Sequence, residues 1–421
     1  MRISRAKLFR MFLILAVASV GKDCLSQNLS TFELKYDKLT DISEIPVSVN
    51  LDEITLLHDS VLVLYENNTK VKREIPFQIE PGNPRILTFI TGTGYRQGEK
   101  ITYELELGKS FQKEKVGSSV SDGSLVMASG GKNLLQYNFK TNYPPAGIDT
   151  AYKRSGFIHP LWSPHGQVLT RIQPPDHYHH YGIWNPWTQV LFKGDTVDFW
   201  NINSRQGTVR FANFVSVVDG PVFSEYSVLH EHVVFKPGGT EEVAVNELQK
   251  VRVYRPSKDN SHYIVDFLIQ LNCAGENEVR LLEYRYGGLG WRTTGEWDNT
   301  NSTVLTSEGR TRKDADGTKA SWLLVQGETD NDNAGVVMMS YPTNYNHPEP
   351  LRIWPEDQYG RGDMFANFSP TRNTGWLLVP GRVYLLKYRF LVFNGHMDAV
   401  SAGEAWKHYA YPPVPVITKA E

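Results

Sequence analysis

Apolar and polar residues alternate with period two along much of the chain. Val71, Arg73, Ile75 and Phe77 interleave with Lys72, Glu74 and Pro76, and Ile101, Tyr103, Leu105 and Leu107 with Thr102, Glu104 and Glu106. Such alternation predicts half-buried strands, and turn signals such as Pro81-Gly-Asn-Pro84 separate them. Residues 27–115 read as an Ig-like β-sandwich. A polar stretch, 117–124 followed by Ser129-Gly-Gly131, reads as a linker. Strand patterns resume at 130 and run on through Val209–Val218, Val228–Phe235, Val251–Tyr254, Tyr263–Leu271 and Val383–Phe393. No helical periods intervene, which argues against βαβ units and for a large antiparallel supersandwich over 130–412. The fold class is therefore all-β with one C-terminal helix. Asp398 caps that helix, Ala402, Ala405, Trp406 and Tyr409 share a face, and Pro412 and Pro413 end it.

Composition narrows the function classes. The 421 residues carry 44 Lys+Arg and 46 Asp+Glu, a formal charge of −2. This near-neutral balance gives no electrostatic footprint for nucleic acid. Two cysteines cannot form a disulfide framework. Residues 1–26 read as a secretory signal peptide: Arg2, Arg5, Lys7 and Arg10 precede the short apolar core Met11–Val20, and cleavage is expected after Ser26. No later segment is long and apolar enough to span a bilayer. The expectation is a secreted or periplasmic protein with no membrane association after cleavage.

The densest candidate chemistry is Pro174-Pro-Asp-His-Tyr-His-His-Tyr-Gly-Ile-Trp184. Read as extended, Asp176–Gly182 places His177 and His179 on one face and His180 on the other. Such imidazoles suit a polar-ligand or catalytic site, a transition-metal site, or a hydrogen-bonded structural cluster. A second pair, His230 and His232, reads as the solvated face of a regular strand. Trp184, Trp187, Trp200, Trp291 and Trp297 lie in or beside polar clusters, and the ten tryptophans as a set suggest a sugar-facing groove as well as a thick core. The run Glu283–Arg292 adds Arg285 and Arg292, with Gly287, Gly288 and Gly290 read as permitting a bulge or close approach to a ligand. Glu308, Arg310, His347 and Arg352 complete the set. Serine-hydrolase elbows, zincin motifs and Cys-x-x-Cys are absent.

At these clusters the chain resembles the family often labelled PmoA-like or "methane oxygenase". The residues that carry the resemblance are Pro175–Trp184, Val197-Asp-Phe-Trp200, Glu283–Arg292, Ser307-Glu-Gly-Arg-Thr311, Tyr341–Pro348 and Tyr388–Val392. It covers about 130–412, and this chain departs from it at Tyr178 and Tyr181, where Pro and Arg are expected. A membrane oxygenase subunit would need several spanning segments, so that activity is set aside. The resemblance implies a sandwich similar to galactose-mutarotase-like proteins and supplies no catalytic residues. The functional expectation is a carbohydrate-active protein, a glycan hydrolase or lyase. His177, His179, Glu308 and His347 are its catalytic candidates. Asp176, His180, Trp184, Trp200, Arg285, Arg292, Arg310 and Arg352 are its substrate-binding candidates, with no metal or cofactor assigned. The alternatives are a non-catalytic glycan-binding protein and a His-ligated metal enzyme.

Overall fold

The computed structural model describes residues 27–35, 44–68, 71–93, 98–112 and 114–420. The proposed signal segment lies outside the described residues. Among the described residues the chain is mostly β, in antiparallel sheets that pack as sandwiches, with one α-helix near the C-terminus.

Near the N-terminus, a five-stranded sheet and a three-stranded sheet share one core. Phe32 and Leu34 of strand Asn28–Lys35 and Tyr103 and Leu105 of Lys100–Leu107 face Val47, Leu87 and Phe89 across it. The last strand, Val416–Lys419, returns to pair with Asn28–Lys35 at the sheet edge. The alternation read over 71–77 is broken at Ile75-Pro76, giving separate strands Val71–Glu74 and Phe77–Glu80. A proline has no N–H to continue the ladder.

The larger sandwich packs an eight-stranded sheet against a nine-stranded one. The long strands Gly207–Asp219, Phe223–Phe235, Glu241–Tyr254, His262–Cys273 and Tyr384–Asn394 are neighbours in the first. The stretch read as a linker is a hairpin of the second: Val116–Ser121 pairs with Ser124–Ser129. Its polar composition reflects an edge strand whose outer half is exposed. The helix runs Ala399–Ala410, with Asp398 accepting a hydrogen bond from Ser401 N at 2.8 Å.

Strand alternation in the nine-stranded sheet positions the site. Ile158, Ile183, Trp291, Ile353 and Ala366 point into the core between the sheets. Their neighbours Phe157, Trp184, Trp354 and Phe365 therefore emerge on the opposite face, where they form a separate aromatic cluster. Cross-strand register aligns Trp184 with Gly290 and Arg292 with Phe365. At Gly290 a β-carbon would lie 3.1 Å from the Trp200 ring, so the glycine admits an aromatic neighbour and not a ligand.

Candidate functional site

The segment 174–180 is not extended. Pro174 O accepts from His177 N at 2.8 Å, and His177 O from His180 N at 3.0 Å, which makes two successive turns. Pro175 occupies the second position of the first turn, where its fixed φ favours turning. The consequence is that all three rings converge. Their centroids are 4.7–5.1 Å apart pairwise, and one nitrogen from each lies within 4.8 Å of the others. Gly182 ends the loop at φ +56°, and a β-carbon there would lie 2.1 Å from Ile158 O.

The surroundings are aromatic and charged. His180 is fully buried against Trp184, Trp354 and Phe365, and neither of its ring nitrogens has a hydrogen-bond partner. His177 and His179 are half-buried. His177 Nδ1 lies 2.9 Å from Asp176 Oδ2, and Tyr359 Oη lies 3.1 Å from its Nε2. Tyr359 holds φ +54°, a left-handed conformation uncommon for a tyrosine. Arg292, fully buried, bonds Asp176 at 2.9 Å and Asp363 at 3.0 Å, and its guanidinium sits 4.4 Å above Trp354. Arg171 and Arg361 also pair with Asp363.

This setting controls protonation. Burial first, then the charges of His177, Arg154 and Arg292, pushes the His179 imidazole down to about 3. Burial and positive neighbours push His180 well below its ordinary value. Both rings are therefore neutral near pH 7 and offer lone pairs. Burial alone would raise Asp176, but the His177 hydrogen bond and the Arg292 charge reverse this and hold it well below the usual carboxylate range.

The other expected site residues fall in several places. Trp184 and Trp200 are 2% and 1% exposed, so they back the imidazoles and present no face to a sugar; Trp187, Trp291 and Trp297 are equally buried. Arg352 is buried on the same sheet face, 5.0 Å above the Tyr286 ring and paired with Asp316. Arg285 is exposed beside Tyr286. Glu308 and Arg310 are exposed on the turn that follows Ser302–Thr306, with Arg310 paired to Asp314. His347 joins a different cluster, in which Ser340 Oγ lies 3.1 Å from its Nδ1 and bonds buried Glu349 at 2.5 Å. Burial pushes Glu349 up to about 7. Glu308 bonds within its own turn and His347 contacts Ser340 and Trp406, away from the three histidines.

His230 and His232 are also placed differently from expectation. They face the interior, 1% and 0% exposed, and share Glu247 at 3.3 and 2.9 Å. Glu231 between them takes the outward side and pairs with Arg210.

Residues that the sequence did not single out complete the site: Trp354, Tyr359, Asp363, Arg171 and Tyr152, whose ring stacks 6.5 Å from His179. The segment carrying Tyr152 also borders a cavity of about 490 Å³, lined by Lys153, Arg154, Arg205, Arg210 and Lys236 among others. Arg154, 3% exposed, bonds the Phe199 carbonyl, and burial lowers it to about 10.

Fold and site together define an all-β sandwich protein with a convergent trihistidine cluster on the outer face of its larger sandwich. The model of a family described as a family of unknown function (DUF6807) matches residues 124–407, and the chain belongs to that family. No curated protein matches the chain.

Proposed function

We propose that the protein is carbohydrate-active, a glycan hydrolase or lyase, acting at the trihistidine face with a preference for acidic sugars. The observation that carries this reading is the convergence of His177, His179 and His180 with Asp176 and Arg292 on a partly exposed surface rimmed by Tyr152, Tyr178 and Tyr359. Tyrosine rings cover the apolar face of a pyranose, while imidazoles and carboxylates bond its hydroxyls. The cavity next to this rim mixes Lys153 and Arg154 with the ion-paired Arg205, Arg210 and Lys236 and with Glu241, and its cations would hold a sugar carboxylate or sulfate. The resemblance to galactose-mutarotase-like sandwiches points the same way, as an analogy of fold.

The test is a panel of neutral, uronic and sulfated polysaccharides, read for new reducing ends and for unsaturated uronate. Acidic substrates should be cleaved fastest, and His179→Ala should lower the rate by at least about 100-fold. A folded protein that cleaves no member of the panel would sink the proposal, and binding without cleavage would leave a non-catalytic glycan-binding protein in its place.

A further inference from the structure

We infer that His177, His179 and His180 form the protein ligands of a divalent transition-metal ion. Three imidazoles with one nitrogen each inside a 4.8 Å span are close to a coordination shell already. A point no farther than about 2.8 Å from all three exists within such a triangle, and zinc–nitrogen bonds are about 2.0–2.1 Å. Ring rotations of under about an ångström would therefore close the shell.

Two independent observations support a ligand at this place. His180 is fully buried with both ring nitrogens unpartnered. Leaving a polar group in that state costs about 1–3 kcal/mol, and a bound cation removes the cost at one nitrogen. The second observation is the Asp176 carboxylate on His177 Nδ1. It favours the tautomer that donates Nδ1–H to the carboxylate and leaves the lone pair on Nε2. This is the carboxylate–histidine arrangement that orients metal-bound imidazoles. Tyr359 O–H, which donates to that Nε2, would be displaced by the ion.

The donor set selects the ion. All-nitrogen ligation favours zinc, cobalt, nickel, copper or ferrous iron over magnesium and calcium, which prefer oxygen. Three protein ligands leave at least one position for water or a substrate oxygen, as in catalytic and not structural zinc sites. Around the site Arg171, Arg292 and Arg361 outnumber Asp176 and Asp363 by one positive charge. That excess favours an anion as the remaining ligand.

The inference does not depend on the glycan proposal, and its test uses no glycan. The full chain is incubated with zinc or cobalt(II), dialysed and assayed for metal by elemental analysis, with the cobalt visible spectrum as the probe of nitrogen coordination. About one ion per chain is expected. Asp176→Asn should weaken binding about 10–100-fold, and His179→Ala by more than about 100-fold. His179 and Asp176 are not core residues, so these variants should fold, as checked by circular dichroism; they decide the matter if His180→Ala does not fold. Folded wild-type protein that retains less than about a tenth of an equivalent, or His179→Ala that binds as tightly as wild type, would overturn the assignment.

Discussion

The molecule carries two histidine clusters that look alike in sequence and differ in what satisfies them. His230 and His232 lie between the two large sheets and share one carboxylate, Glu247, while Tyr137 Oη completes His230 at 2.7 Å. His177, His179 and His180 lie on the outer face of the nine-stranded sheet, and among the described residues one carboxylate, Asp176, hydrogen-bonds the cluster, at His177. The interior cluster has its counter-charge built into the fold. The outer cluster has lone pairs that the protein leaves unused. Most buried polar groups are paired; the interior cluster leaves one nitrogen, His232 Nδ1, without a partner, whereas the outer cluster leaves both nitrogens of His180 without one, so the first arrangement is the nearer to self-sufficient and the second is where the inferred ion would act.

The sharpest way to break this comparison is to remove the interior carboxylate. Glu247→Ala strands two buried imidazoles and should cost about 3–5 kcal/mol in urea unfolding. A variant with the wild-type midpoint would show that Glu247 is not what holds the cluster. The pH dependence has a definite sign. Burial alone would raise Glu247, but the hydrogen bonds and charges of His230 and His232 bring it down to about 2 from an ordinary 4.5. Its contribution is present above about pH 4.5 and is lost as pH falls toward 2. Glu247→Gln should flatten that acid limb.

Asp176→Asn probes the outer cluster in the same way, with a smaller expected effect. Arg292 would keep Asp363 but lose one charged hydrogen bond, for a loss of about 1.5–3 kcal/mol. A measured loss as large as that of Glu247→Ala would mean that the outer cluster is held together like the inner one.

How far the sequence disclosed this contrast depends on the range of the interactions. Period-two alternation revealed the long strands because each face is decided by neighbours two residues away. The hairpin at 116–129 was misread because an exposed edge strand is as polar as a linker. Asp176 to His180 stood out by composition, but their convergence depends on Pro175 turning the chain. Trp354, Tyr359 and Asp363 reach the histidines only through the pairing of Ile183–Trp184, Gly290–Arg292, Phe365–Phe368 and Glu349–Ile353, which no local pattern reveals. Gly360-Arg-Gly-Asp363 was the available signal: a turn-forming run holding a cation and an anion directly after Tyr359. The inward face of His230 and His232 was missed because polar alternation does not say which side is wet when the partner carboxylate is itself buried on the adjacent strand.

Glu349 offers a counter-test with the opposite sign. It is buried with hydroxyl and amide partners, Ser340, Tyr388 and Asn344, and no imidazole hydrogen-bonds it. Burial raises it from 4.5 to about 7 despite those bonds. Its stabilising contribution is complete below about pH 4.5 and is lost as pH rises through 7. Glu349→Gln should therefore gain on wild type above pH 7, with little difference below pH 4.5. An unchanged slope between those values would show that the carboxyl is ionised in the fold.

The smallest effect is expected at Glu308, and it tests where the chemistry is. Glu308 is exposed, with hydrogen bonds to Ser307 Oγ and Thr306 Oγ1 on its own turn. Glu308→Ala should shift stability by no more than about 0.5 kcal/mol and leave metal content and glycan cleavage at wild-type levels. If cleavage fell by orders of magnitude while metal content held, the acid/base work would belong to the turn after Ser302–Thr306, and the trihistidine cluster would be reduced to a metal site beside it. If both fell together in a folded variant, the two faces would be coupled through the strands that join them, and the separation drawn between Glu308 and the histidines would fail.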